Sequence, residues 1–155
     1  MNDIATAGLS IVGELSAKVG APVDIGTIPQ GIRRIVPILS GEITGPRLNA
    51  KLLPGGADYQ VWRGDGITEI HARYVIETTS GARIYVENSG LRRAPPDITQ
   101  RLFRGEPVDQ ASVYFRAVPR FETSDPELAW LMHSIFLCAA ERYPDRVLAR
   151  FFEVT

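Results

Sequence analysis

Polar and apolar residues alternate with a period of two along much of the chain, the pattern of strands with one buried face. From Thr68 to Thr78, Ile70, Ala72, Tyr74 and Ile76 make one face, while Glu69, His71, Arg73 and Glu77 make the other. Ala82 to Asn88 repeats it, with Ile84 and Val86 set against Arg83, Tyr85 and Glu87. Ser80-Gly81 links the two, its glycine supplying the positive φ that tight hairpins require. Gly64-Asp65-Gly66 does the same between Gln60–Arg63 and Thr68. The two turns predict a three-stranded antiparallel meander from Tyr59 to Asn88.

Other segments carry the same chemistry. Ile32 to Ile38, Leu48 to Leu53, Val113 to Val118, Trp130 to Ala139 and Val147 to Val154 are rich in β-branched, aromatic or aliphatic residues. Turn-forming residues separate them. Leu9 to Val19 reads as a further strand, with Ile11, Gly13, Leu15, Ala17 and Val19 on one face, although a helix there stays open. One helix is expected over Pro95 to Arg104. Pro95-Pro96 set φ for its first turn, Asp97 suits its positive end and Gly105 can cap its exit. Ile98 and Leu102, one turn apart, would pack it onto the sheet.

About nine strands in one domain are too many for an open sheet, which would curl or split. The expected fold is therefore mainly β: a single antiparallel β-barrel of about eight to nine strands with one short helix, spanning residues 1–155. No internal repeat, low-complexity tract or linker divides the chain.

Length and composition agree with that reading. The 155 residues include 45% hydrophobic and 23% charged side chains, ordinary for one globular domain. A net charge of −1 removes the electrostatic reason to expect nucleic acid or an anionic membrane as partner. Cys138 is the only cysteine, so no internal disulfide can form, which suits a reducing compartment. Asp3 and Glu14 interrupt what a secretory signal would need as a basic, apolar start. No run approaches the ~18 apolar residues of a membrane span. A cytoplasmic location is the expectation, and a homodimer is an allowed assembly.

The inventory of reactive groups is short. His71, His133 and Cys138 are the imidazole and thiol ligands available, without any zinc-like spacing, so no metal site is expected. His133 reads as a core or interface histidine in an apolar strand. There is no phosphate loop and no dinucleotide fingerprint, and Gly55-Gly56 precedes a strand rather than a helix. No serine elbow exists, and Cys138 sits among Phe136, Leu137 and Ala139 as a buried small hydrophobe would. Neither cofactor nor metal is expected. Acid–base chemistry or plain binding remains.

Three stretches, GPRLNAKLLPGGADYQVWRGDG (Gly45–Gly66), ARYVIETTSGARIYVENSGLR (Ala72–Arg92) and YFRAVPRFETSDPELAWL (Tyr114–Leu131), resemble in order the domain-of-unknown-function 3237 family. The resemblance runs from about Ala21 to Val154. It implies a small antiparallel barrel, similar to the calycin-like barrels that hold apolar ligands. No activity is established for most members; a few fungal relatives look like cofactor-free cyclases that add a hydroxyl across an alkene by acid catalysis. The chain also departs from the family. Where relatives read E-L-D-A-R-Y, it has Glu69-Ile70-His71-Ala72-Arg73-Tyr74, with histidine in place of the acid. Ser80-Gly81 replaces Asp-Gly, Met132-His133 replaces Asn-Arg, and Gly56-Ala57-Asp58-Tyr59 replaces G-A-D-W.

Asp58 is the first candidate for a functional acid. It follows a glycine pair at a strand start, where its carboxyl could enter a barrel mouth and be desolvated into a usable acid or base. The competing reading is that it fixes the turn by accepting backbone hydrogen bonds. Asn88 shares parity with Ile84 and Val86, and Tyr74 also lies on an apolar face, so both bring polar groups into the interior. Arg73 and Arg116 lie on the more polar faces of their strands, yet match the family's R-Y and Y-F-R motifs. If either pointed inward it would need a carboxylate or an anionic ligand.

The expected function is cofactor-independent acid–base chemistry, of cyclase, isomerase or hydratase type, on a hydrophobic small molecule held in the barrel. Asp58 and Arg116 are the catalytic candidates, with Arg116 orienting the substrate; Tyr74, Asn88, Arg73, Trp62 and Trp130 are the binding candidates. The alternative is a non-catalytic binding or carrier protein. A barrel plugged by its own side chains would favour a structural or interaction domain instead.

Overall fold

The computed structural model describes residues 4–155, so the first three residues of the expected 1–155 domain lie outside the described part. The elements run β1 (Leu9–Val19), β2 (Val23–Ile28), β3 (Gly31–Thr44), β4 (Ala50–Leu52), β5 (Gly56–Trp62), β6 (Ile67–Thr78), β7 (Arg83–Arg93), α1 (Pro96–Phe103), β8 (Tyr114–Thr123), β9 (Phe136–Arg142) and β10 (Arg146–Val154). Short 3-10 helices cover Gln110–Ser112 and Pro126–Met132. Every strand pairing is antiparallel.

Eight strands close a barrel in the order β1-β10-β9-β8-β7-β6-β5-β3, and β3 pairs back onto β1. Two strands stand outside this circuit. β4 continues the line of β5 between β3 and β6, and β2 forms a hairpin with the start of β3. The meander from Tyr59 to Asn88 is present, with Gly66 at φ +83 and Gly81 at φ +89 in its two turns. β1 is a strand, and a bulge between Ile11 and Gly13 shifts its parity. Val12 is therefore fully buried while Ile11 faces out.

The structure corrects the expected strand from Trp130 to Ala139. Pro126–Met132 is a 3-10 helix whose start is capped by Asp125 accepting from the Glu127 amide, and the strand begins only at Phe136. Aspartate followed by proline is a strong helix opener, and here it overrides the β propensity of the apolar run. His133, expected within an apolar strand as a core or interface histidine, is instead exposed at the end of that helix. β2 was not expected at all; its face alternates poorly because Val23 and Ile25 are both exposed.

The two ends of the barrel differ. At one end Phe121, Phe136 and Phe151 stack edge to face, and Leu131 of the 3-10 helix is 1% exposed beneath them. This end is packed shut. At the other end α1 leans over the opening, with Leu102 buried and Phe103 against Trp62 at 5.0 Å. Gly105, at φ +75, terminates the helix; the amides of Gly105 and Glu106 return to the carbonyls of Leu102 and Arg101. No helix among the described residues is long and apolar enough to cross a membrane.

Candidate functional site

The open end leads inward in two steps. A cleft of about 480 Å³ lies beneath α1, bounded by the β1–β2 link, the start of β3, the end of β5 and the β9–β10 turn. Below it an internal cavity of about 60 Å³ reaches the barrel centre. Val19, Val36, Gln60, Arg92 and Arg142 wall both spaces. The inner cavity alone holds a few waters or one small group; the outer cleft has the size of a small-molecule pocket.

Alternation along β5 sends Asp58, Gln60 and Trp62 to the same interior side. The Trp62 indole N–H can only donate, and it donates to Gln60 Oε1 at 2.8 Å. That fixes the amide so that Gln60 Nε2 donates to Asp58 Oδ2 at 2.8 Å. Asp58 Oδ1 accepts the backbone N–H of His71 at 2.9 Å. Burial pushes the Asp58 carboxyl above the usual aspartate range, while those two hydrogen bonds and the charges of Arg92 and Arg142 pull the other way. Both sequence readings of Asp58 thus meet in one side chain. It braces β6 and it is a desolvated acid in a cavity wall.

Tyr74 and Asn88 also line the inner cavity. Burial holds the Tyr74 hydroxyl far above its ordinary titration range, so it is a neutral donor. Asn88 lies against the Cys138 thiol, which burial pushes up to about 11. Trp62 is at the threshold of the outer cleft rather than in the inner cavity. Trp130 lies away from both spaces, on the 3-10 helix at the packed end, under Arg47 at 4.0 Å and 6.0 Å from Phe136. Arg73 and Arg116 point outward from the barrel. Arg73 reaches His71 Nε2, and Arg116 donates to the Phe115 carbonyl. The His71 side chain is outside too, bonded to Ser89 Oγ, so the position where the resemblance implied an acid lies on the outer surface and not in the cavity wall.

Three interior residues were missing from the sequence reading: Gln60, Arg92 and Arg142. Arg92 is 3% exposed and shares parity with Ile84, Val86 and Asn88 on β7. Arg142 shares parity with Phe136, Cys138 and Ala140 on β9. Parity extended to the strand ends puts both on the inner side, but an arginine at a strand end reads as solvated surface. Burial draws the Arg92 guanidinium down to about 10, which leaves it cationic at neutral pH, and burial lowers Arg142 as well. Buried side-chain polar atoms without a hydrogen-bond partner among the described residues are Tyr74 Oη, Asn88 Oδ1, Arg92 Nε and Arg142 Nη1. All belong to residues lining the one inner cavity. Folded proteins rarely leave such atoms unmet, so this constellation marks a place where solvent or a ligand completes the bonding.

Comparison with known proteins places the chain. The model of the family described as "Protein of unknown function (DUF3237)" matches residues 7–154, and the chain belongs to that family. The UPF0311 protein blr7842 of Bradyrhizobium diazoefficiens is 44% identical over 149 residues, covering 96% of this chain and 97% of that protein. The crystal structure of the conserved protein of unknown function RPA1785 from Rhodopseudomonas palustris superposes with a TM-score of 0.92 at 40% identity, over 98% of this chain and 100% of that one. A crystal structure of an enzyme from Penicillium herquei shares the fold at a TM-score of 0.74 and 17% identity, over 100% of both chains.

Proposed function

We propose that this member of the DUF3237 family is a cofactor-independent acid–base enzyme acting on a small, largely apolar molecule that enters beneath α1. The observation that carries the reading is the position of Asp58. Its carboxyl is desolvated in the wall of a cavity that also presents the unpartnered groups of Tyr74 and Asn88. A raised carboxyl can hold a proton near working pH and deliver it to a carbon or oxygen held over it, which is what cyclisation, isomerisation or double-bond hydration requires. Tyr74 and Asn88 then orient the substrate, one as donor and the other as acceptor. The shared barrel with an enzyme of Penicillium herquei says only that the fold can host catalysis.

The test is untargeted mass spectrometry of a small-metabolite extract from a bacterium that carries a homologue, incubated with the protein and with Asp58→Asn. Wild type should convert at least one compound, and the variant should do so about 10²–10⁴-fold more slowly, the usual worth of a positioned acid or base. Compounds that bind unchanged to both proteins would instead establish the second reading, a carrier. That reading is favoured by the small inner volume of about 60 Å³, which leaves most of a ligand in the outer cleft.

A further inference from the structure

Charges around the opening do not balance. Arg34 is neutralised by Asp24, with Nε to Oδ1 at 2.6 Å, and its Nη1 donates to the Phe103 carbonyl at 2.6 Å. Asp145 stands at the rim of the cleft, where it pairs with Arg146 at 3.6 Å and its charge also reaches Arg142. Arg92 and Arg142, by contrast, make no ion pair within 4.0 Å among the described residues. Arg92 Nε has no hydrogen-bond partner among the described residues, and the guanidinium rests over the faces of Trp62 at 4.9 Å and Phe115 at 5.4 Å. Buried cations are normally paired, because desolvating a lone charge is costly. Of the carboxylates whose charge reaches these arginines, Asp145 is paired with Arg146, and Asp58 is already bonded to Gln60 and His71 and is itself pressed toward its neutral form.

We infer that the opening binds a small organic carboxylate, its anionic head on Arg92 and Arg142 and its apolar body in the cleft beneath α1. A planar guanidinium fork with free N–H groups is the protein group best matched to a carboxylate. Arg92 and Arg142 both stand where the outer cleft narrows into the inner cavity, so a head bound there anchors the molecule at the narrowing. Trp62, Leu102 and Phe103 supply an apolar bed for its body, which an inorganic anion would not use. This deepens the acid–base reading by naming the substrate class, but the binding itself needs no catalysis. A carboxylate on these arginines sits close to Asp58 in charge terms, so its arrival favours the protonated acid that chemistry on the substrate would consume.

Titration calorimetry in neutral, low-salt buffer tests this with benzoate, hexanoate and naphthoate, each against its neutral alcohol, and with acetate as the bare head group. At least one of the three larger carboxylates should bind about tenfold or more tightly than both its alcohol and acetate. Arg92→Met and Arg142→Gln should each weaken that binding by about 10–100-fold, the worth of charge-assisted bonds. Arg92→Met should melt no lower than wild type, since it exchanges an unpaired buried cation for an apolar chain. If that variant fails to fold, Arg142→Gln alone decides. Asp58→Asn should bind the same carboxylate no more weakly, because it leaves both arginines in place and takes away any negative charge that position 58 carries. Equal binding of acids and alcohols, no binding by any of the acids, or wild-type affinity in the arginine variants would each overturn the inference. Loss of binding in those variants, with conversion untouched in Asp58→Asn, would leave this inference standing and remove the catalytic reading instead.

Discussion

Replacing Asp58 by asparagine removes a charge and also an acceptor, and the two losses depend differently on pH. Trp62 fixes the Gln60 amide, so position 58 must still face two donors, Gln60 Nε2 and the His71 N–H. Asparagine has one oxygen for them, and the unmet donor costs about 1–3 kcal/mol. Against this, the raised acid makes wild-type stability fall as pH climbs. From the ordinary aspartate pKa up through the raised one, the folded protein keeps a proton that the unfolded chain has released. Denaturant titrations across that window should show Asp58→Asn least stable, relative to wild type, at the acid end, with the deficit shrinking toward neutral pH. A deficit that does not change with pH would mean Asp58 is ionised throughout. Tyr74→Phe is the complementary change. It deletes a buried hydroxyl with no protein partner, so stability should hold or rise; a loss above about 1 kcal/mol would place an ordered water on that hydroxyl. Tyr74 and Asn88 were legible because residue parity points them inward, and Asp58 because it follows a glycine pair at a strand start. Arg92 and Arg142 were not, because arginine at a strand end ordinarily reads as solvated surface, and only the closed barrel shows that these positions are interior.

At the level of elements, alternation identified the central strands and missed what local geometry decides. The bulge at Val12 turns Ile11 outward while Gly13, Leu15, Ala17 and Val19 keep the expected buried face, and nothing in a period-two pattern forecasts such an insertion. The Asp125-Pro126 start of a 3-10 helix was masked by the apolar run after it, and with it the true position of Trp130. β3 shows a constraint of another kind. Gly31 begins it at φ +141, and a Cβ there would lie 2.3 Å from the Trp62 carbonyl oxygen. That close approach seats Trp62, and through it Gln60 and Asp58. Gly31→Ala should therefore destabilise by about 2 kcal/mol or more, through the strained backbone and the collision together. Thermal unfolding checks it. In the folded fraction the indole fluorescence of Trp62 should shift as its ring moves off Phe103, while Gly64→Ala, whose Cβ would meet nothing, should leave both unchanged.

Taken as a whole, the barrel is asymmetric along its axis, and that asymmetry specifies where binding must be felt. Among the described residues, every buried side-chain polar atom without a partner belongs to the cavity leading to the open end, and none to the aromatic end built from Phe121, Phe136, Phe151 and Leu131. The elements over the opening are also the lightly anchored ones. α1 is eight residues long with only Leu102 fully buried, and the β2–β3 hairpin is tied to it through Arg34 bridging Asp24 and the Phe103 carbonyl. Short, sparsely buried elements open at lower free energy than the strands they cover. A ligand seated beneath α1 stabilises only the closed arrangement, so it slows local opening there by mass action. Hydrogen exchange with a saturating carboxylate should show added protection in α1 and β2, in proportion to occupancy, and none in Pro126–Met132. Protection confined to the 3-10 helix end would put the ligand at the wrong pole of the barrel. Protection spread evenly over all strands would mean that the whole barrel opens as one unit to admit it.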